Sequence, residues 1–366
     1  MRAKRAVFRA PHEPIEVREC DVTSPAPGEI LVQVDLAGVC GTDAHRIRGD
    51  LPVPPEPISF GHEAVGTVVD LAAGVSTDAI GQKLSVGDRV YWAVSGTCGR
   101  CYSCTVLNNP LLCASPCWPP VATEPNAAGF QEFATLDARV PTFRIPGGTS
   151  IEAVIALGCA LPTALGGFRR LGAVQPGASI VIQGAGPVGL ACAVLAGMSS
   201  AQHVIVIGDE GARLDAARRV GATDVLSLAD SPAERADALR ELTDGRGADV
   251  VIEAAGHISA FDEGLNLLAA DGRYLILGLY SGNATVPFNP VLLNNLNLTV
   301  LGSLGADPRD YLNTVRIVQR HGERLELASL VTHRFALEEI AEAVSVLGTG
   351  NAVKPVVAPR ARPVHS

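Results

Sequence analysis

At 366 residues the chain is longer than one ordinary compact domain, and a prior of one domain per roughly 150 residues points to two. With 29 Lys and Arg against 38 Asp and Glu, the net charge of −9 argues against a binder of nucleic acid or of anionic membranes. Hydrophobic residues make up 47% and aromatics only 4%, so the core must come from Ala, Val, Leu and Ile, the mixture of parallel sheets covered by helices.

The start, Met1-Arg-Ala-Lys-Arg-Ala, carries charge where a secretory signal needs its apolar run. The expected compartment is therefore the cytoplasm, where the nine cysteines read as metal ligands or nucleophiles and not as a disulfide framework. The uncharged stretch from Ala178 to Ser200 is interrupted by Gly184, Gly186, Pro187, Gly189 and Gly197, so no membrane span is expected.

In chain order, the first 150 residues hold short alternating runs, among them Glu29 to Asp35 and Ala64 to Asp70, between Pro/Gly turns. That pattern predicts mainly antiparallel β structure. Among these runs lie Cys40-Gly-Thr-Asp-Ala-His45 and Gly61-His62-Glu63, followed by a long turn from Val75 to Val86. Cys98-Gly-Arg-Cys101-Tyr-Ser-Cys104 with Cys113 then puts four thiols within 16 residues. Thiolates at this spacing can enclose one tetrahedral Zn²⁺ with no open position, a cross-link in a lobe of about 95–118 and not a reaction centre. Cys117 competes with Cys113 for the fourth place. Cys159 alone reads as a buried small hydrophobe, but Cys40, His62 and Cys159 together make a three-ligand zinc shell with one position open.

From Ser179 to Gly302 the pattern changes to strand, turn, helix-length segment and strand. Strands are predicted at Ser179 to Gln183, His203 to Ile207, Asp224 to Ser227, Asp249 to Glu253, Arg273 to Leu277 and Leu298 to Gly302, with helices at Arg213 to Val220, Pro232 to Leu242 and Ala260 to Ala269. Ser231 before Pro232 is a ready N-cap. Gly184-Ala-Gly186-Pro187-Val188-Gly189 follows the first strand and opens a helix. Its glycines suit a tight turn, close backbone approach to a pyrophosphate, and helix-on-strand packing. Asp209, 20 residues past Gly189, can accept from a ribose, and with Glu210 it repels a 2′-phosphate; Arg213 is the only nearby cation, so NAD is favoured over NADP. Beyond Pro308, helices at Asp310 to His321 and Leu337 to Leu347 and a strand at Ala352 to Ala358 are expected to return to the N-terminal domain.

On these motifs, nearly end to end, the chain resembles the zinc-dependent medium-chain alcohol dehydrogenase family. The resemblance implies an α/β protein: a doubly wound parallel-sheet (Rossmann) domain at 161–302 and a mainly antiparallel β, GroES-like catalytic domain at 1–160 and 303–366. It implies two Zn²⁺ per chain, catalytic on Cys40, His62 and Cys159 and structural on Cys98, Cys101, Cys104 and Cys113, with Glu63 behind His62 or as an occasional alternative ligand. Thr42 would touch the substrate oxygen and His45 would end a proton relay; Thr163 would contact the nicotinamide and Lys354 the pyrophosphate. The implied activity is reversible hydride transfer between an alcohol, primary, secondary or polyol, and NAD, in a homodimer or homotetramer joined near Leu298 to Gly302. Trp92, Cys117-Trp118 and Leu279-Tyr280 are candidates for the pocket wall or for core. Two departures stand out. Eight residues separate Cys104 from Cys113 where the family usually has seven, and Gly208 occupies the place of the ribose-binding acid, with Asp209 one step later.

Overall fold

The computed structural model describes residues 1–52, 57–93, 95–116, 126–281, 285–286 and 288–361. The chain divides into two compact units, Met1–Cys159 with Asp307–Ser366, and Ala160–Ala306.

The first unit is built on a seven-stranded sheet. Its spine is Ile30–Gly38, which pairs antiparallel with Ala64–Leu71, with Phe133–Leu136 and with the C-terminal strand Lys354–Val357, where Val356 faces Gly38. The tail thus returns to the N-terminal part of the chain. A second, three-stranded sheet joins Glu16–Asp21, Arg2–Phe8 and Ile58–Ser59. Alternation explains these strands, since inward residues such as Val32 and Val34 are buried with Phe8, Phe60 and Phe130. Phe60 contacts both other rings in tilted geometry, its centroid 5.3 Å from that of Phe8 and 5.8 Å from that of Phe130.

The long turn from Val75 to Val86 has a structural reason. Asp78, 7% exposed, accepts the backbone N–H groups of Ile80 (3.0 Å) and Gln82 (2.9 Å) through Oδ1 and that of Arg144 (3.1 Å) through Oδ2. One carboxylate therefore pins a small hairpin, closed by a bridge between Thr77 and Lys83, against the strand Thr142–Arg144.

The second unit is a six-stranded parallel sheet in the order Asp224–Ser227, His203–Gly208, Ser179–Gln183, Ala248–Glu253, Leu268–Ile276 and Thr299–Gly302. Its inner strands are buried on both faces, which is why they read as unbroken Val/Ile/Leu runs. Ser231 caps the helix Pro232–Leu242 by accepting from Glu234 N–H, while Glu234 accepts from Ser231 N–H at 2.8 Å, a reciprocal capping box. No helix among the described residues is long and apolar enough to cross a membrane.

Candidate active site

Cys40 sits where the spine strand gives way to the helix Gly41–Ile47, as the helix N-cap in extended conformation. Asp43, fully buried in the first turn, accepts the Cys40 N–H through Oδ2 at 2.9 Å. Its other oxygen lies 3.2 Å from His62 Nδ1. One carboxylate thus fixes both the loop bearing Cys40 and the ring of His62, leaving Nε2 as the histidine's donor atom. The loop His62-Glu63 enters the strand Ala64–Leu71, whose pairing with the spine brings Ala64 opposite Ala37. Cys159 comes from the turn after the helix Ile151–Ala156, its N–H donating to Glu63 Oε1 at 3.0 Å.

The donor atoms of Cys40, His62, Glu63 and Cys159 all lie within 4.8 Å of one another. The sulfurs of Cys40 and Cys159 are 3.7 Å apart. That is far too long for a disulfide, at about 2.05 Å. It matches the edge of a sulfur tetrahedron around zinc, about 3.8 Å for Zn–S bonds of about 2.3 Å. The donor groups are electrostatically coupled to one another. The Cys159 thiol, hydrogen-bonded to Cys40, holds the latter well below the ordinary thiol value, and the same contact together with burial pushes Cys159 up. Burial would lower His62, but Asp43 and Cys40 outweigh it and raise His62 well above the usual imidazole value.

Glu63 is held differently. Burial would raise its pKa, but the ammonium of Lys354 and the charge of His62 overcome this and bring it to about 2. Lys354 Nζ is ion-paired to Glu63 Oε2, both side chains fully enclosed. A Cβ on Gly38 or on Gly158 would overlap the Glu63 carboxylate, so two glycines make room for this pair. The resemblance puts Lys354 near a pyrophosphate; here its ammonium is buried against Glu63, and a buried ammonium needs such a buried counter-charge.

Thr42 Oγ1 lies 3.7 Å from Cys40 Sγ, and His45 follows three residues later on the same face of the helix. Trp92 is core, 3% exposed, its indole N–H donating to Ala127 O at 2.9 Å. Cys117 and Trp118 lie outside the described residues. Asp43 is the functional residue that sequence reasoning missed. Its only signal is its place three residues after Cys40, where a capping acid of a helix belongs.

In the second cysteine set the sulfurs of Cys98, Cys101, Cys104 and Cys113 lie within 4.8 Å of one another. Backbone N–H groups of Cys98 and Ser115 point at Cys113 Sγ (3.3 and 3.4 Å), and that of Ala114 at Cys101 Sγ (3.5 Å). Amides aimed at sulfur favour thiolate, and those of Ala114 and Cys104 lead in bringing Cys101 down to about 6. Four convergent sulfurs fit a closed Cys₄ zinc site.

The glycine turn stands at the carboxyl end of Ser179–Gln183. Gly184 has φ +103°, and a Cβ there would press on the backbone of Ala255 at 3.1 Å. Gly186, N-cap of the helix Pro187–Gly197, faces open space, while a Cβ on Gly189 would collide with the Gly184 carbonyl. These are the turn, approach and packing roles that a dinucleotide turn assigns to its glycines. Pro187 and Val188 form the first helical turn. A side chain at 208 would strike Ala185 at 2.8 Å, so no acid fits there, and Asp209 and Glu210 are the exposed carboxylates at that strand end. Arg213 follows on the helix Ala212–Val220, and Thr163 is half-buried on the helix Ala160–Leu171. A separate cavity of about 520 Å³, near Gln175, Arg246, Asp249 and Arg273, lies at the amino ends of the strands and so at the sheet edge opposite the glycine turn.

Comparisons with known proteins give the family. Residues 26–147 match the alcohol dehydrogenase GroES-like domain, and residues 187–320 match the zinc-binding dehydrogenase family. The chain is 40% identical to 5-exo-hydroxycamphor dehydrogenase of Pseudomonas putida over 98% of its own length and 99% of the relative's. It is 28% identical to S-(hydroxymethyl)glutathione dehydrogenase of Synechocystis sp., covering 98% of this chain and 100% of that one. An alcohol dehydrogenase structure from Thermotoga maritima superposes with a TM-score of 0.91 at 32% identity, covering 98% and 100% of the two chains. The chain belongs to the zinc-dependent medium-chain alcohol dehydrogenase family and is an oxidoreductase acting on alcohols.

Proposed function

We propose that the protein is an NAD-dependent dehydrogenase of secondary alicyclic alcohols, holding two zinc ions per chain and interconverting alcohol and ketone. The convergence of Cys40, His62 and Cys159 with sulfurs 3.7 Å apart carries the reading. Zinc on these three residues would supply a Lewis acid for the substrate oxygen. The rest falls to the chain itself. Asp43 keeps His62 Nδ1 occupied, so that Nε2 would be the atom left to hold the ion. Thr42 Oγ1 accepts the alcohol proton and His45 Nε2 takes it onward toward water, an assignment supported by their shared helix face. Glu63, tied to Lys354 and to the Cys159 N–H, holds the ligand loops together.

For the cofactor, the backbone of Gly184, Gly186, Pro187, Val188 and Gly189 would receive the pyrophosphate and Asp209 the adenosine ribose, with Arg213 beside it. Thr163 is assigned to the nicotinamide. Asp209 and Glu210 are both exposed carboxylates, which favours NAD over a 2′-phosphorylated cofactor. The 40% identical relative is a hydroxycamphor dehydrogenase, which favours a ring-borne secondary alcohol. Cys98, Cys101, Cys104 and Cys113 would hold the structural zinc. Thr299–Gly302 is an edge strand, largely exposed and bearing neither charge nor proline, which supports a homodimer formed by sheet extension, alone or within a homotetramer.

A panel of primary, secondary and cyclic alcohols, followed by nicotinamide absorbance with NAD⁺ and NADP⁺ separately and paired with metal analysis, tests this reading. Two zinc per chain with turnover of cyclic secondary alcohols by NAD⁺ is expected. One zinc and no turnover of any alcohol would overturn it.

A further inference from the structure

We propose that Asp50 is a positioning residue of the proton relay: it holds His45 in the tautomer whose Nε2 can accept a proton, and Arg48 pulls the ring toward the tautomer that cannot. The proposal rests on the reading of His45 as relay base.

The sequence builds this arrangement locally. The helix Gly41–Ile47 ends at Arg48, and Gly49 turns left-handed at φ +78°. Gly49 N–H donates to Arg46 O at 3.0 Å, and Asp50 N–H donates to His45 O at 2.9 Å. This helix stop folds the residue after the glycine back over the last turn, and Asp50 is therefore delivered to His45. Its Oδ2 lies 3.0 Å from His45 Nδ1. Arg48 Nη2 lies 3.1 Å from that same nitrogen, and Arg48 Nε donates to Asp50 Oδ2 at 2.9 Å.

An acceptor and an obligate donor thus compete for one ring nitrogen, and a neutral imidazole can satisfy only one of them. With hydrogen on Nδ1, the ring donates to Asp50 and Nε2 keeps its lone pair for the incoming proton. With Nδ1 accepting from Arg48, the hydrogen sits on Nε2 and the relay is blocked. Once Nε2 has taken the proton both nitrogens are donors, so Nδ1 can bond only to Asp50 and Arg48 must release it. His45 first and Arg48 second hold the Asp50 carboxyl below its ordinary range, consistent with a carboxylate that stays charged through the cycle.

Steady-state kinetics on the zinc-loaded enzyme, with ¹⁵N spectra of imidazole-labelled protein, test the proposal. Asp50→Ala should lower kcat by about tenfold or more, part of the roughly 10²–10⁴-fold that acid–base catalysis supplies, with both KM values within about twofold. Its solvent deuterium effect on kcat should rise, and Asp50→Glu should restore part of the rate. In the spectra His45 should move toward the Nε2–H form in Asp50→Ala and toward the Nδ1–H form in Arg48→Met. If His45→Ala lowers kcat while Asp50→Ala changes neither kcat nor the tautomer, the role of Asp50 is overturned and the relay stands. If His45→Ala leaves kcat unchanged, the relay reading falls and this proposal with it.

Discussion

Replacing Lys354 by Met removes one member of the ion pair that supports the ligand loops, and its cost can be worked out from the geometry. The side chains of Lys354 and Glu63 are 0% and 1% exposed, so after the substitution a carboxylate remains enclosed without its counter-charge. Breaking such a pair costs about 3–5 kcal/mol. The carboxyl itself gives a second figure. Glu63 falls from 4.5 to about 2 in the folded protein, which at about 1.4 kcal/mol per tenfold is worth about 3 kcal/mol. Because the folded value is depressed, this contribution is fully present above the unfolded value of about 4.5 and is lost as pH falls toward about 2. The assay is urea unfolding of wild type, Lys354→Met, Glu63→Leu and the double variant at pH 7. With an m-value of about 3 kcal/mol/M, the midpoint of Lys354→Met should drop by about 1–2 M, and the double variant should recover most of it. The gap between wild type and Lys354→Met should narrow as pH is lowered from about 5. A loss below about 1 kcal/mol, or a double variant less stable than the sum of the single ones, would show that the pair does not hold these loops together.

Four other substitutions separate the parts of the molecule. Metal analysis of Cys40→Ser and Cys101→Ser should each find one zinc instead of two; Cys40→Ser should lose activity with the melting temperature nearly kept, whereas Cys101→Ser should lose melting temperature first. Gly189→Ala forces a methyl against the Gly184 carbonyl, so NADH fluorescence titration should show binding weakened by about tenfold or more while both zincs remain. Asp78→Ala leaves three backbone N–H groups without their carboxylate and should cost about 2–4 kcal/mol in urea unfolding, with the kcat of the surviving folded enzyme unchanged.

How much was legible depended on how local the physical signal was. Ser179–Gln183 and Asp224–Ser227 have the predicted bounds, and Pro232–Leu242 starts and stops where its capping box and turn dictate. The strand expected from Arg273 instead begins at Leu268, because Asp271 in left-handed conformation and a register shift opposite Ala248 and Val250 hide the pairing behind a turn-like Asp-Gly. Leu337 to Leu347, predicted as one helix, is a 3₁₀ turn, the helix Ile340–Ser345 and a second 3₁₀ turn. Its hydrophobic spacing is satisfied by either winding. The helix Gly41–Ile47 went unread, since seven residues cannot display a helical period and only Asp43 marks its first turn.

The same distinction separates the two metal sets. Cys98, Cys101, Cys104 and Cys113 are close in the chain, so spacing alone reports them, and the amides of Ala114 and Ser115 that steady the sulfurs come from the same short loop. Cys40, His62 and Cys159 meet only because two strands pair and a later loop closes on them, so their spacing says nothing until the fold is known. What no spacing rule could reach is the layer behind the ligands. Asp43, Lys354 and Asp50 are ordinary charged residues in sequence, and each acquires a role only from the ring or carboxylate the fold sets against it. Donor atoms are dictated by the metal, which tolerates few residue types, whereas orienting groups are dictated by the vacancy beside each donor, which many residue types could fill. The chemistry of this site is therefore readable from sequence, while its tuning requires coordinates, and variants of Asp43, Lys354 and Asp50 are where activity can change with every ligand in place.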